Sequence, residues 1–366
     1  MAIDILDRRP VADVAVVWTE QNTRFHGRED PDNTAVAPYR GVTAALTRAR
    51  ITYVPVHLED LRDVAPTVQA IVLPDIAVMT DEQCASVAEL VENGTSLVAT
   101  GSTALKDADG VFERGPHRLG ATLGIAATGM ASGSVAPLQF QIDDYSRHDY
   151  VRIDRTGGVG HGIDTGDLAA LLAGFEDTDL LPLGGRLEGV EAFSAAVVGT
   201  HVEPFPAYPP ELAWLRPSPT TKPVLVARRA VGGARIAYSA ADIDRLAGRE
   251  GLPDHVRLLT NIVRWAVGEN PTLDVTGPGL VDCRLYTTPG GLVLHLVSIG
   301  TTSPVPGTHD EPLPVGPLRI RIRHRAAIST ARALVANREL PVENDEDAVV
   351  IDVPQMGVHE VIALVD

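Results

Sequence analysis

The stretch "TSLVATGSTAL", residues 95–105, decides how this chain is read. Leu97, Val98 and Ala99 form a short apolar run, and Gly101 follows closely. The segment therefore reads as a buried strand entering a sharp turn. In one large class of α/β enzymes the catalytic nucleophile sits at such a turn. Here the turn offers Thr100, Gly101 and Ser102, and no cysteine.

The flanking segments alternate strand and helix. "DVAVVW" (13–18) is a continuous apolar run, as in a strand covered on both faces. Pro38 can open a helix, and Tyr39, Val42, Ala45, Leu46 and Ala49 follow helical spacing. "ITYVPVHL" (51–58) is β-rich, with Pro55 predicting a bend or a sheet edge. "AIVLPDIAVM" (70–79) reads as the third strand. Thr80 and Gln83 then form a capping box, and Gly94 is placed to end that helix. Farther on, "KPVLVARRAVGGARIAYSAAD" (222–242) predicts two strands around a Gly232-Gly233 turn, and "PDHVRLLTNIVRWAVG" (253–268) a helix stopped by Gly268. This block can return to the first sheet and complete it. The alternation predicts an α/β domain over 10–270 with a doubly wound, mostly parallel sheet and an irregular insertion near 125–220. From 271 to 366 short strands such as "GLVLHLVSI", "LRIRIRH", "ARALVA", "AVVIDVP" and "HEVIALV" follow with no helix between them, which predicts an antiparallel β-sandwich.

Composition narrows the function. The 366 residues carry 31 basic and 48 acidic side chains, a net charge of −17, without a Lys/Arg cluster. A nucleic-acid partner is not expected of such a chain. No apolar run reaches about 18 residues, so no membrane partner is expected, and "MAIDILDRRP" has no secretory apolar core. Cys84 and Cys283 lie far apart, with no Cys or His at ligand spacing. They read as two buried thiols of a cytoplasmic protein, with no metal and no cofactor.

Several segments resemble a known module. "VAVVW" followed by "TEQNTRFHG", the run "IVLPDIAVMTDEQCASVAELVENGTSLVATGSTAL", and "GGARIAYSAADIDRL" followed by "DHVRLLTNIVRWAVG" are similar to the glutamine-amidotransferase-like domain of family 42 glycoside hydrolases, called the beta-galactosidase trimerisation domain. "GPGLVDCRLYTTPGGLVLHLVSIG" and "PLPVGPLRIRIR" resemble the β-domain that follows it in related, α-fucosidase-like hydrolases. The resemblance covers about residues 10–365 and implies a flavodoxin-like, class I amidotransferase-like first domain. In those relatives a preceding (β/α)₈ barrel carries the two catalytic carboxylates. A barrel needs about 250 residues, and nothing before Val14 supplies it. Hydrolase activity therefore carries over to no residue here.

Active class I amidotransferases place a cysteine at the turn, assisted by a His and a Glu. In this chain Gly101 or Ser102 takes that place, and Cys84 lies in the preceding helix. Ser102 would need an imidazole to take its proton, and His117, His161, His201 and His255 are the available histidines, but no G-x-S-x-G surrounds Ser102. Glycosidase chemistry needs two carboxylates facing across a cleft, and no spacing among Glu20, Asp75, Glu203, Glu211, Asp242 and Asp244 picks out a pair. Asp242 and Asp244 follow a strand and are placed to cap the next segment or hold Arg245. "GGVGHG" (157–162) lacks the GK[ST] ending of a phosphate loop.

Ligands of doubly wound sheets collect at the carboxyl ends of the strands. That rim is expected to contain Trp18, Glu20, Gln21, Asn22 and Arg24, then Asp75, then Thr100, Gly101 and Ser102. Such a rim suits a carbohydrate or the mouth of a partner's active site. The Pro/aromatic segment 201–219, with Phe205, Tyr208 and Trp214, is the expected contact surface. The reading is a non-catalytic, glycosidase-associated assembly protein, partnered by further copies of itself or by a barrel chain. Two alternatives stay open: an accessory half of a split glycoside hydrolase, and a hydrolase using Ser102.

Overall fold

A computed structural model describes residues 7–112, 115–132, 149–156, 162–183, 185–203, 220–300, 313–324, 327–345 and 347–365. Phe205, Tyr208, Trp214, Glu211 and His161 lie outside the described residues. The chain forms two compact units, one of Met1–Val14, Leu46–Val54 and Glu269–Asp366, the other of Ala15–Ala45 and Pro55–Gly268.

The strands, in chain order, begin with β1 (Arg9–Val11), β2 (Val14–Trp18), β3 (Tyr53–His57), β4 (Ala70–Leu73) and β5 (Ser96–Thr100). β6 (Ile125–Ser132), β7 (Asp149–Ile153), β8 (Leu180–Leu183), β9 (Leu187–Ala192), β10 (Ala196–Val202), β11 (Pro223–Arg229) and β12 (Arg235–Ser239) follow. A nine-stranded sheet has the order β3-β2-β4-β5-β12-β11-β10-β7-β8. β5 pairs parallel with both β4 and β12, whereas β11, β10, β7 and β8 join by antiparallel pairs. The sequence block at 222–242 thus does return to the first sheet. The segment near 125–220 is more regular than its glycines and prolines suggest, because β7, β8 and β10 extend this sheet.

The central strands are apolar on both faces because both faces are covered. Val14 to Val17 and Ala70 to Leu73 are all fully buried. Burial of each such Val, Leu or Ile contributes about 1.5–3 kcal/mol. β3, which contains Pro55, lies at the sheet edge, where a missing backbone N–H leaves no ladder bond unmade. The helix Asp81–Glu92 begins with the expected capping box: Thr80 Oγ1 accepts from the Gln83 N–H at 3.1 Å, and Gln83 Oε1 accepts from the Thr80 N–H at 2.8 Å. The expected third strand, 70–79, is shorter than its apolar run, since it ends at Leu73. Pro74 cannot donate to a ladder, and Asp75 adopts φ +48° and turns the chain away.

Two helices of this unit touch backbone to backbone. A Cβ on Gly41 would lie 1.9 Å from the Asp244 carbonyl oxygen, and one on Gly248 2.0 Å from that of Ala37. Glycine at both positions lets the helices Ala37–Arg48 and Ile243–Glu250 close to this distance.

The remaining strands are β13 (Leu273–Thr276), β14 (Val281–Thr288), β15 (Gly291–Ser298), β16 (Leu318–Arg323), β17 (Thr330–Ala333), β18 (Arg338–Leu340), β19 (Val342–Asp345), β20 (Ala348–Val353) and β21 (His359–Val365). They form two antiparallel sheets, β1-β14-β15-β21-β17-β18 and β13-β16-β20-β19. Alternating residues of both, among them Leu285, Leu294, Ile362, Ile320 and Ile351, pack into one apolar cluster. The Arg side chains of "RIRIR" face outward as expected: Arg319 pairs with Glu343 and Asp352, and Arg321 with Asp345 and Asp347.

Candidate functional site at the strand ends

The carboxyl ends of β4, β5 and β12 converge because the three run parallel and adjacent. β4 delivers Asp75, β5 delivers Thr100, Gly101 and Ser102, and β12 leads into Asp242, Asp244 and Arg245. A fourth contributor comes from β9, whose Glu188 N–H donates to the Ala240 carbonyl at 2.8 Å and so brings Arg186 and Glu188 to the same place.

Asp75 organises the first layer. Its N–H donates to Thr100 Oγ1 at 2.9 Å. Its Oδ1 accepts from the Ser102 N–H at 2.7 Å, and its Oδ2 lies 3.1 Å from His26 Nε2. Asn22 clamps the same turn, donating to the Asp75 carbonyl and accepting from the N–H groups of Ala77 and Val78. Gly101 holds the left-handed conformation, φ +55°, at the strand-to-turn switch, and a Cβ there would meet Asp75 Oδ1 at 2.6 Å. The left-handed position of this turn is therefore occupied by a residue without a side chain.

Ser102 is one residue later and 1% exposed. Its hydroxyl donates to Glu188 Oε1 at 2.7 Å, and Glu188 also receives the Arg186 guanidinium. Among the described residues no imidazole bonds to Ser102. His117 accepts from the Leu119 N–H, His201 pairs with Asp149, and His255 faces the Pro182 carbonyl. A Ser–His relay is absent from this arrangement of described residues.

A buried acid–cation cluster lies beneath. Thr100 donates its hydroxyl to Asp244. Asp242 Oδ2 accepts from Arg245 Nε at 2.5 Å and from the Arg186 N–H at 3.0 Å. Asp242 does hold Arg245, one of the roles expected for it, but its side chain makes no cap bond to the helix. Burial pushes the Asp244 carboxyl up to about 7, reinforced by the negative charge of Asp75. Burial also raises Asp242, opposed by the Arg245 charge.

Above these groups lies a cavity of about 340 Å³, lined by His26, Asp75, Ser102, Lys106, Arg186 and Asp242, with Phe25 among its other walls. Lys106 and Arg186 both stand over the Phe112 ring, at 4.9 and 5.1 Å from its centre. Burial, and secondarily the Arg186 charge, lowers the Lys106 pKa.

The expected rim divides in two. Asp75, Gly101 and Ser102 reach this cavity. Trp18 and Asn22 instead border a separate, largely apolar hollow of about 260 Å³ with Tyr39 and Ile76. Trp18 stands edge-on to His57 at 4.9 Å, and His57 pairs with Glu20 at 2.7 Å. Gln21 and Arg24 are exposed and border neither space. Sequence reasoning missed His26, which ends the short helical segment Asn22–His26, Lys106 and Arg186, which lie between regular elements, and Glu188 of β9, a strand the sequence did not predict. The one signal available was His26 inside the "TEQNTRFHG" segment.

No protein-family model and no curated protein matches this chain. Solved structures do. The α-L-fucosidase isoenzyme 2 from Paenibacillus thiaminolyticus matches with a TM-score of 0.69 at 17% identity, over 98% of this chain and 49% of that one. The beta-galactosidase from Bacillus circulans sp. alkalophilus matches with a TM-score of 0.61 at 16% identity, over 98% and 42%. Gan42B, a GH42 beta-galactosidase from G. stearothermophilus, matches with a TM-score of 0.57 at 13% identity, over 97% and 40%. The chain thus shares a fold with parts of glycoside hydrolases and spans less than half the length of each.

Proposed function

We propose that this chain is a non-catalytic, glycoside-hydrolase-associated assembly protein of carbohydrate metabolism. The unit of Ala15–Ala45 and Pro55–Gly268 would have the flavodoxin-like winding of class I amidotransferases, and the unit that includes Glu269–Asp366 would be a β-sandwich. The observation that supports the reading is Gly101: the left-handed place in the turn after β5 carries no side chain, and the turn is held by Asp75, Asn22 and Ser102. A turn built this way favours a role in shape over bond cleavage. The likeness to fucosidase and beta-galactosidase structures supports a glycosidase context. The partners are further copies of this chain or a glycosidase barrel, with Phe205, Tyr208 and Trp214 as the contact residues.

Light scattering coupled to size exclusion tests the assembly, with a defined oligomer expected. The purified chain is expected to leave aryl galactosides and aryl fucosides intact. A strict monomer with no affinity for a barrel chain, or turnover abolished by Ser102→Ala, would defeat the reading.

A further inference from the structure

The cavity at the strand ends has a chemistry that assembly does not require. Its walls hold both signs of charge, and most of those charges are already answered within the protein. Asp75 is bonded through both carboxylate oxygens, to Ser102 and His26. Arg186 is committed to Glu188, and Asp242 Oδ2 to Arg245. Lys106 differs. Its ammonium has no hydrogen-bond acceptor and no ion-pair partner among the described residues, and it is half-buried over the Phe112 ring. Asp75 and Glu188 act on it only through space. A half-buried cation without a contact partner favours an anion beside it.

Two more groups are unanswered. His26 Nδ1 and Asp242 Oδ1 are buried polar atoms without a hydrogen-bond partner among the described residues. The side chains that carry them are 5% and 3% exposed and line the same cavity. Buried polar atoms of this kind are normally satisfied, by protein, by water or by a ligand. Phe25 adds an apolar wall, which suits the C–H face of a ring. The volume, about 340 Å³, stands at the small end of ligand cavities. It suits one ring rather than a chain of them. The four acids in the wall, Glu29, Asp30, Asp75 and Asp242, outnumber its three cations, Arg28, Lys106 and Arg186, and so disfavour a phosphate or any other dianion.

We propose that this cavity binds a small polyhydroxylated monocarboxylate of about one sugar ring, with its carboxylate on Lys106 and its hydroxyls on His26 and Asp242. The inference is independent of the assembly reading, since a monomer would bind as well.

Isothermal titration calorimetry of the full chain at low salt tests it, with D-glucuronate and D-galacturonate as probes and D-glucose and D-galactose as their neutral counterparts. At least one acid is expected to bind saturably, at least about tenfold more tightly than its hexose. Lys106→Met is expected to weaken that binding about tenfold or more, and Lys106→Arg to retain most of it. Failure of both acids to saturate up to about 10 mM, equal binding of acid and hexose, or unchanged binding by Lys106→Met would each overturn the proposal. The comparison of acid with hexose uses the unaltered protein, so it stands even if a variant fails to fold.

Discussion

The backbone N–H of Ser102 donates to Oδ1 of Asp75 at 2.7 Å, across two neighbouring parallel strands. That bond fixes the turn after β5 to the turn after β4. It also explains why Gly101 tolerates no side chain, since its missing Cβ is the space that the Asp75 carboxylate occupies.

Asp75→Ala should therefore destabilise the protein by about 2–4 kcal/mol, since it leaves the buried Ser102 N–H unanswered and puts alanine at positive φ. Asp75→Asn should cost less, because Asn tolerates that backbone conformation and keeps an acceptor. Urea denaturation ranks the two, and a larger loss for Asn would contradict the geometry.

Asp244 makes stability depend on pH in a defined direction. Its folded-state pKa is raised to about 7, above that of an unfolded aspartate. Between about 4 and 7 the folded state thus holds more protons than the unfolded one, and stability falls as pH rises through this window. Asp244→Asn should flatten that slope in urea midpoints measured from pH 5 to 8. Parallel profiles for the two proteins would refute the assignment.

Gly248→Ala should destabilise despite alanine's better helix propensity. The propensity gain is about 1 kcal/mol. The new methyl would lie 2.0 Å from the Ala37 carbonyl oxygen and force the two helices apart, a cost of about 1–3 kcal/mol or more. A fall in melting temperature is expected, and a rise would show that the helices are free to separate.

Ser102→Ala should cost about 1.5–3 kcal/mol, the worth of one hydrogen bond to a charged group, toward the low end because Arg186 still answers Glu188. Thermal unfolding measures it.

Both thiols should resist modification in the native state. Cys84 and Cys283 are buried, and burial pushes the Cys283 thiol up to about 12, so almost no thiolate is present near neutral pH. Ellman titration should read no fast thiol before denaturant is added and two afterwards.

Much of the architecture was legible in the sequence because it depends on local, periodic signals. The apolar run at 13–18, the Thr80–Gln83 capping box, Pro55 at a sheet edge and the Gly232-Gly233 turn each act over a few residues. The end of β4 was misjudged because Ile76, Ala77 and Val78 are buried without being in a strand, and hydrophobicity reports burial rather than conformation. The site was legible only in part. Asp75, Gly101 and Ser102 could be placed by their position after strands, but their partners come from sequence separations of 49 residues for His26, 86 for Glu188 and 144 for the Thr100–Asp244 pair. No local pattern encodes which distant loops meet. The sequence by itself determined that strand β5 runs into a turn bearing no cysteine. Only the tertiary structure decided that Gly101 takes the left-handed place, that Ser102 faces a carboxylate, and that Lys106 has no hydrogen-bond or ion-pair partner among the described residues, because those facts depend on loops brought together by the parallel sheet.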